Sequence, residues 1–280
     1  MLFASGGTVR VGGSSALWPL LEEAAVRYQA QNPGVTIAVA RSSSGNGRRG
    51  VCGGQLDIGA SDIPLSAEEQ AQLRCEDVRQ TPIAIQAFVP IAHTRGPGAL
   101  TSLTKAQLVG IFSGSVTNWQ EVGGENQRIV VVNRVPSSGT RANMAAFLFD
   151  GDNSRFTEGE AQEESSGIEQ LVSQTPGAIS YVSLAYLGNP NIRPIGIDGV
   201  LPNRESIQSG QWPIGGPGYV IPRVRCPAPP RALSRFSRAP SSRAVRSTPG
   251  WGLCRRRAAN TKRRWVPTMF LHWANIVGPG

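Results

Sequence analysis

The chain has no apolar run approaching the roughly 18–20 residues that a bilayer span requires, and none of its 19 acidic side chains lies in residues 223–280. It has only two histidines, and its four cysteines include no C-x-x-C pair, so the spacing of a zinc or dithiol redox site is missing. Residues 1–222 hold one lysine, Lys105, and no Walker-type phosphate loop. A serine hydrolase would have to rely on His93, with no nucleophile elbow nearby. These absences leave no convincing catalytic centre and no expected cofactor or metal.

What remains is 280 residues, 40% hydrophobic and 17% charged, with a net charge of +9. That is ordinary soluble composition, but the charge is unevenly placed. Residues 1–222 carry 15 basic against 19 acidic side chains, a balance of −4, and the other 13 basic residues follow. A nucleic-acid-binding core would carry its positive charge on the folded surface, so no nucleic-acid partner is expected. Residues 223–280 contain seven prolines and scattered arginines, too little apolar periodicity to offset the entropy of ordering. They read as a disordered basic tail, a basic arm, or translation in a shifted frame. The last is favoured because the composition changes where a folded domain is unfinished.

Cys52 and Cys75 could pair if the protein is exported, or remain ordinary thiols; Cys226 and Cys254 lie in the tail. The opening "MLFASGGTVRVGGSS" lacks the basic and apolar regions of a secretory signal. Either the protein is cytoplasmic or the chain starts after a signal.

Residues 8–185 alternate strand and helix patterns, which predicts an α/β fold. "TVRVGG" and "VTIAVA" read as strands around a helix containing Pro19 and headed by an N-cap serine, and "LTKAQLVGIF" as a capped helix. "RIVVVNR" reads as one strand and "GAISYVSLAYL" as a strand with its turn. Three strand-to-helix junctions share small hydroxyl residues and glycine: Gly13-Ser14-Ser15, Ser43-Ser44-Gly45 and Ser138-Gly139-Thr140. Helix N-termini present unpaired N–H groups and partial positive charge. Glycine permits close approach, and serine or threonine adds a hydroxyl donor. One such junction is a helix cap; three suggest donors converging on a tetrahedral oxyanion, with Arg134 as the charged partner.

A competing motif is "GNGRRG" at Gly45–Gly50, which fits the G-x-G-x-x-G dinucleotide fingerprint. Only about ten residues separate it from the next strand, too few for a crossover helix and its turns. The fingerprint is therefore disfavoured. His93 is expected to cap a strand end, and Trp18, Trp119 and Trp212 to pack.

The stretches "GGSSALWPLLEEAAVRYQAQNPGVTI", "SSSGNGRRGV", "LDIGASDIPLS", "LTKAQLVGIFSGSVTNWQEVGG", "IVVVNRVPSSGTRANMAAFL", "GAISYVSLAYL" and "IRPIGIDGVLPN" occur in one order. Together they resemble the phosphate-binding component of phosphate-specific ABC transporters, within the type II periplasmic-binding-protein superfamily. The resemblance implies a two-lobe α/β fold with hinge strands and an interlobe cleft. One lobe would comprise residues 1–88 plus 186–222 and the other 89–185. It implies a monomeric, non-enzymatic solute-binding protein, exported, that captures inorganic phosphate for ABC permease subunits. The ligand set it implies is Ser14, Ser15, Ser43, Ser44, Gly45, Asp62, Arg134, Ser138, Gly139 and Thr140.

A carboxylate in an anion site has a chemical rationale. Hydrogen phosphate can donate its proton to Asp62, whereas sulfate has none to give. An unpaired acceptor facing a second anion costs several kcal/mol, on the order of a 10⁴-fold preference. The plainer role for Asp62 is as N-cap of the "PLSAEEQ" helix. In one branch of the family an acid two residues after the arginine orients it. Here Pro136 occupies that position, which leaves open how Arg134 is held.

Overall fold

The computed structural model describes residues 7–75 and 78–223, all within one compact unit that ends at Arg223. The expectations for the tail beyond Arg223, including Cys226 and Cys254, fall outside these residues. Arg223 itself still belongs to the fold, forming a bridge with Val78 and donating its N–H to the Asp57 carbonyl at 3.0 Å.

The chain opens with β1 (Thr8–Ser14), α1 (Trp18–Gln31), β2 (Thr36–Ser42), α2 (Ser44–Cys52), β3 (Ile58–Ser61) and α3 (Ala67–Gln72). A long strand, β4 (Thr81–His93), leads to β5 (Ser102–Leu103), α4 (Lys105–Ser113), β6 (Val130–Val131), β7 (Asn133–Arg134) and α5 (Gly139–Phe149). Next come β8 (Ala161–Gln162), α6 (Ser165–Gln174), β9 (Ala178–Ser183), β10 (Ile192–Pro194), β11 (Gly196–Ile197), α7 (Arg204–Gln208) and β12 (Gly215–Pro222).

The main sheet runs β2-β1-β3-β12-β4-β9-β6, with β10 also on β4; β11 pairs with β5, and β7 with β8. β4 divides in two. Residues 81–87 pair with β12, while residues 88–92 pair with β9. Its first half is partly exposed, and every residue from Gln86 to His93 is buried. One strand thus crosses from one set of partners to another. β10 and β11 pair with the end of β4 and with β5, so residues 192–197 sit with the middle of the chain.

Local signals explain several boundaries. Thr104 and Gln107 form a reciprocal capping box on α4, and Gly114 ends that helix in the left-handed region at φ 83°. α1 carries Pro19 in its first turn as expected, but its N-cap position is Leu17, with no side-chain cap. Ser14 acts from further back, its Oγ accepting from the N–H groups of Ala16 and Leu17 at 3.1 and 3.3 Å. "RIVVVNR" breaks into β6 and β7, which lie in different sheets. His93 ends β4, its Nδ1 accepting from the Arg95 N–H at 2.9 Å. Trp119 and Trp212 are buried, and their indole N–H groups donate to the carbonyls of Gly177 and Phe88.

A large core joins β4, β9, α4, α5 and α6 through Phe88, Phe112, Phe149, Ile168 and Tyr181. A smaller one gathers Val51, Leu65, Cys75 and Ile221. There Cys52 and Cys75 are joined as a disulfide, resolving the alternative left open by the sequence. It ties the C-terminal end of α2 to the segment after α3.

Candidate functional site

Two helix N-termini face each other. Ser43 caps α2, accepting from the Asn46 N–H at 3.3 Å, and Ser138 caps α5, accepting from the Arg141 N–H at 3.3 Å. The Ser137 hydroxyl donates to Ser43 Oγ at 2.9 Å, and the Gly45 N–H donates to the Ser137 carbonyl at 2.9 Å. Gly139 allows the approach, because a Cβ there would collide with Ser44 Oγ and lie 2.8 Å from the Asp62 Cβ. Two first turns, each with N–H groups that no helical carbonyl reaches, therefore meet at one place.

Asp62 lies between them at the end of β3, 4% exposed. Its Oδ1 accepts from the Ser14 hydroxyl and, at 3.0 Å, from Gln86 Nε2. Thr140 Oγ1 donates to Oδ2 at 3.3 Å. The Asp62 N–H donates to Ser44 Oγ at 3.0 Å, and Asn143 Nδ2 donates to the Asp62 carbonyl at 3.2 Å. The alternative role as a helix cap is not the one adopted: Ser66 caps α3.

Ser15, the neighbour of Ser14, reaches the opposite charge. Its Oγ accepts from Arg134 Nη2 at 3.2 Å and from the Ser165 N–H at 3.0 Å, and lies 3.1 Å from Ser165 Oγ. Arg134 is 1% exposed. It donates through Nε to the Gln162 carbonyl at 3.2 Å, and through Nη2 to the Glu163 carbonyl at 2.6 Å. Nη1 donates to Ser165 Oγ at 3.3 Å. Main-chain carbonyls and hydroxyls thus hold the guanidinium, with Pro136 offering no acid to do so. Burial pushes the Arg134 guanidinium below its ordinary range, opposed chiefly by Tyr181 and by the charge of Asp62.

The structure therefore brings the three sequence junctions, Asp62 and Arg134 together. It adds residues that the sequence reading passed over: Gln86, Ser137, Asn143, Ser165 and Tyr186, whose hydroxyl donates to the Ser15 carbonyl at 2.7 Å. Ser165 was open to detection, since Ser165-Ser166-Gly167 repeats the hydroxyl–glycine pattern at the head of α6. Gln86 and Tyr186 carried no local signal.

"GNGRRG" takes a different role from a dinucleotide loop. It lies inside α2, where a Cβ on Gly47 would meet the Ala60 carbonyl and sit 2.8 Å from Gly13 Cα. The glycine lets α2 pack directly on β1 and β3. Among the described residues, no group of His, Cys, Asp and Glu could hold a metal ion, and no helix is long and apolar enough to cross a membrane.

A crossed sheet flanked by helices, with buried opposite charges gathered at facing helix N-termini, is the architecture of a two-lobe binding protein. A family model described as a PBP superfamily domain matches residues 4–221, and the chain belongs to that family. It is 34% identical over 209 residues to the phosphate-binding protein PstS of Bacillus subtilis (strain 168), covering 74% of this chain and 67% of that protein. It is 28% identical over 218 residues to the phosphate-binding protein PstS of Borreliella burgdorferi, covering 74% and 75%. Among solved structures it resembles a putative phosphate ABC transporter substrate-binding protein with bound phosphate from Clostridium perfringens. The TM-score is 0.71 at 26% identity, covering 78% of this chain and 86% of that one. The α/β type II periplasmic-binding-protein fold expected from the sequence is the fold of this chain.

Proposed function

We propose that this chain is an extracytoplasmic solute-binding protein that captures inorganic phosphate and delivers it to an ABC permease, without catalysis. One observation carries the reading. A buried carboxylate and a buried guanidinium are joined through the adjacent hydroxyls of Ser14 and Ser15, beside two facing helix N-termini. Donors and positive charge suit an oxyanion, and the carboxylate suits one that carries a proton. The names of the relatives support the same reading.

In this proposal Ser14, Ser15, Ser43, Ser44, Ser138, Gly139 and Thr140 supply hydroxyl and main-chain donors, and Gly45, whose N–H goes to the Ser137 carbonyl, lines the site where the two helices meet. Arg134 supplies the charge, and Asp62 accepts the phosphate proton. The lobes divide within β4, near residue 88, and β12 brings the chain back alongside the first half of β4. The Cys52–Cys75 disulfide supports an oxidising compartment.

Isothermal titration of the full chain at neutral pH, with phosphate and with sulfate, tests the reading. Tight phosphate binding without a sulfate response is expected. A folded sample that takes up neither, or both equally, would overturn it.

A further inference from the structure

We infer that Gln86 is a positioning residue that fixes the acceptor face of Asp62, and through it the preference for a protonated oxyanion; the second step rests on the phosphate reading above. Gln86 sits where β4 changes partners: it is opposite Gly216 of β12, and two residues later Phe88 is opposite Ser183 of β9. Its side chain is buried, 7% exposed, with Nε2 3.0 Å from Asp62 Oδ1. A carboxylate without its proton only accepts, so the amide must turn its NH₂ toward it.

Two features show that the fold accommodates this contact at a cost. Gln86 Oε1 is buried with no hydrogen-bond partner among the described residues, which is unfavourable for an amide that serves only to fill space. In β12, a Cβ on the buried Gly218 would lie 2.6 Å from Leu17 Cδ2, 2.8 Å from Gln86 Nε2 and 3.2 Å from Gln86 Cδ. Glycine inside a strand weakens it; here its missing side chain makes room for the amide and for Leu17 together.

The chemistry follows from the donor being neutral. Ser14 and Gln86 both engage Oδ1, while Oδ2 has the Thr140 hydroxyl at 3.3 Å. Asp62 is thereby oriented with Oδ2 as the face offered to a ligand proton. A lysine or arginine in the place of Gln86 would orient the carboxylate equally well but cancel its charge. The amide leaves that charge intact, to repel an oxyanion that has no proton to give. Arg134 feels the charge of Asp62, and the Arg48 guanidinium is bonded to Glu69 and to the Oγ of Ser61, the residue before Asp62.

The test is titration of the full chain with phosphate and sulfate from pH 5 to 8, comparing wild type with Gln86→Leu, Gln86→Glu and Gly218→Ala. Gln86→Leu is expected to weaken phosphate binding about tenfold and to narrow the phosphate-to-sulfate ratio. Gly218→Ala, whose methyl would press on both Leu17 and the amide, should do the same. Gln86→Glu changes one atom group and sets two carboxylates together. It should bind weakly at pH 8 and recover toward pH 5, as a shared proton restores the donor. A Gln86→Glu profile matching wild type would overturn the inference. A ligand-free measurement separates its failure from that of the phosphate reading: the side-chain amide signals of Gln86 in NMR should move in Asp62→Asn. Signals that stay in place would sink the positioning role even if phosphate binds. A wild type that ignores phosphate would overturn the specificity step, while the NMR result decides the positioning role.

Discussion

Asp62 and Arg134 carry opposite charges at one site and are buried almost equally, but they are held by different kinds of atom. The Asp62 carboxylate takes its donors from three side chains, Ser14, Gln86 and Thr140, on three separate elements. Arg134 rests on the carbonyls of Gln162 and Glu163, with two serine hydroxyls completing the set. A carbonyl is present whatever residue carries it; a side-chain donor is lost with one substitution. The arginine pocket can therefore do without an acid at position 136, and the acid pocket should be the more sensitive of the two to mutation.

The largest effect should come from Asp62→Asn. Replacing the carboxylate with an amide removes the repulsion against a proton-free oxyanion. The phosphate-to-sulfate preference should collapse by on the order of 10³–10⁴-fold in paired titrations. A preference left intact would mean that discrimination lies elsewhere.

Arg134→Met should split affinity from stability. Phosphate binding is expected to fall by about 10²–10³-fold, because a buried charge partner of the ligand is gone. The ligand-free protein should melt at the same temperature or higher, since burying a guanidinium that has no ion pair among the described residues is costly. A clear drop in melting temperature would show that the carbonyl contacts outweigh that cost.

A support of Arg134 can then be set against a residue that does not hold it. Ser165→Ala removes a hydroxyl bonded to both Arg134 and Ser15, and should weaken phosphate binding by about tenfold. Pro136→Ala should change it less than about twofold, because the proline is not among the side chains that hold Arg134. Equal effects would remove Ser165 from the support of Arg134.

The smallest effect concerns alkaline stability beside the arginine. Burial pushes the Tyr181 and Tyr186 hydroxyls up to about 12, with Arg141 acting against it at Tyr181 and Arg41 at Tyr186. Unfolded tyrosines ionise near pH 10, so the folded state retains protons that the unfolded state has lost. This contribution is complete below about pH 10 and declines as pH rises toward 12. Denaturant midpoints across that window should fall, and Tyr181→Phe should flatten the fall. An unchanged slope would remove Tyr181 from the account.

Much of the fold was legible. The capped "LTKAQLVGIF" helix, the α1 region with Pro19 and the strands around it rest on periodicity and caps, which involve residues a few positions apart. The three hydroxyl–glycine junctions were legible for the same reason, and their convergence followed from the chemistry of helix N-termini. "GNGRRG" misleads because its glycines match a spacing pattern, while their purpose, the contact of Gly47 with Gly13 and Ala60, lies in tertiary packing. "RIVVVNR" misleads because a run of β-branched residues does not reveal that its two halves pair with different neighbours.

The sequence by itself determined the α/β class, the separation of an acidic body from a basic tail, and the residue types gathered at the site. Tertiary structure alone decided that Cys52 pairs with Cys75, that β4 crosses between two sets of strands, and that carbonyls rather than an acid hold Arg134. It also placed Ser165 against Ser15, 150 positions away, and Gln86 against Asp62. The reason is distance along the chain. Caps, turns and periodicity are settled among near neighbours, whereas these contacts exist only once the chain has folded and brought remote segments within hydrogen-bonding reach.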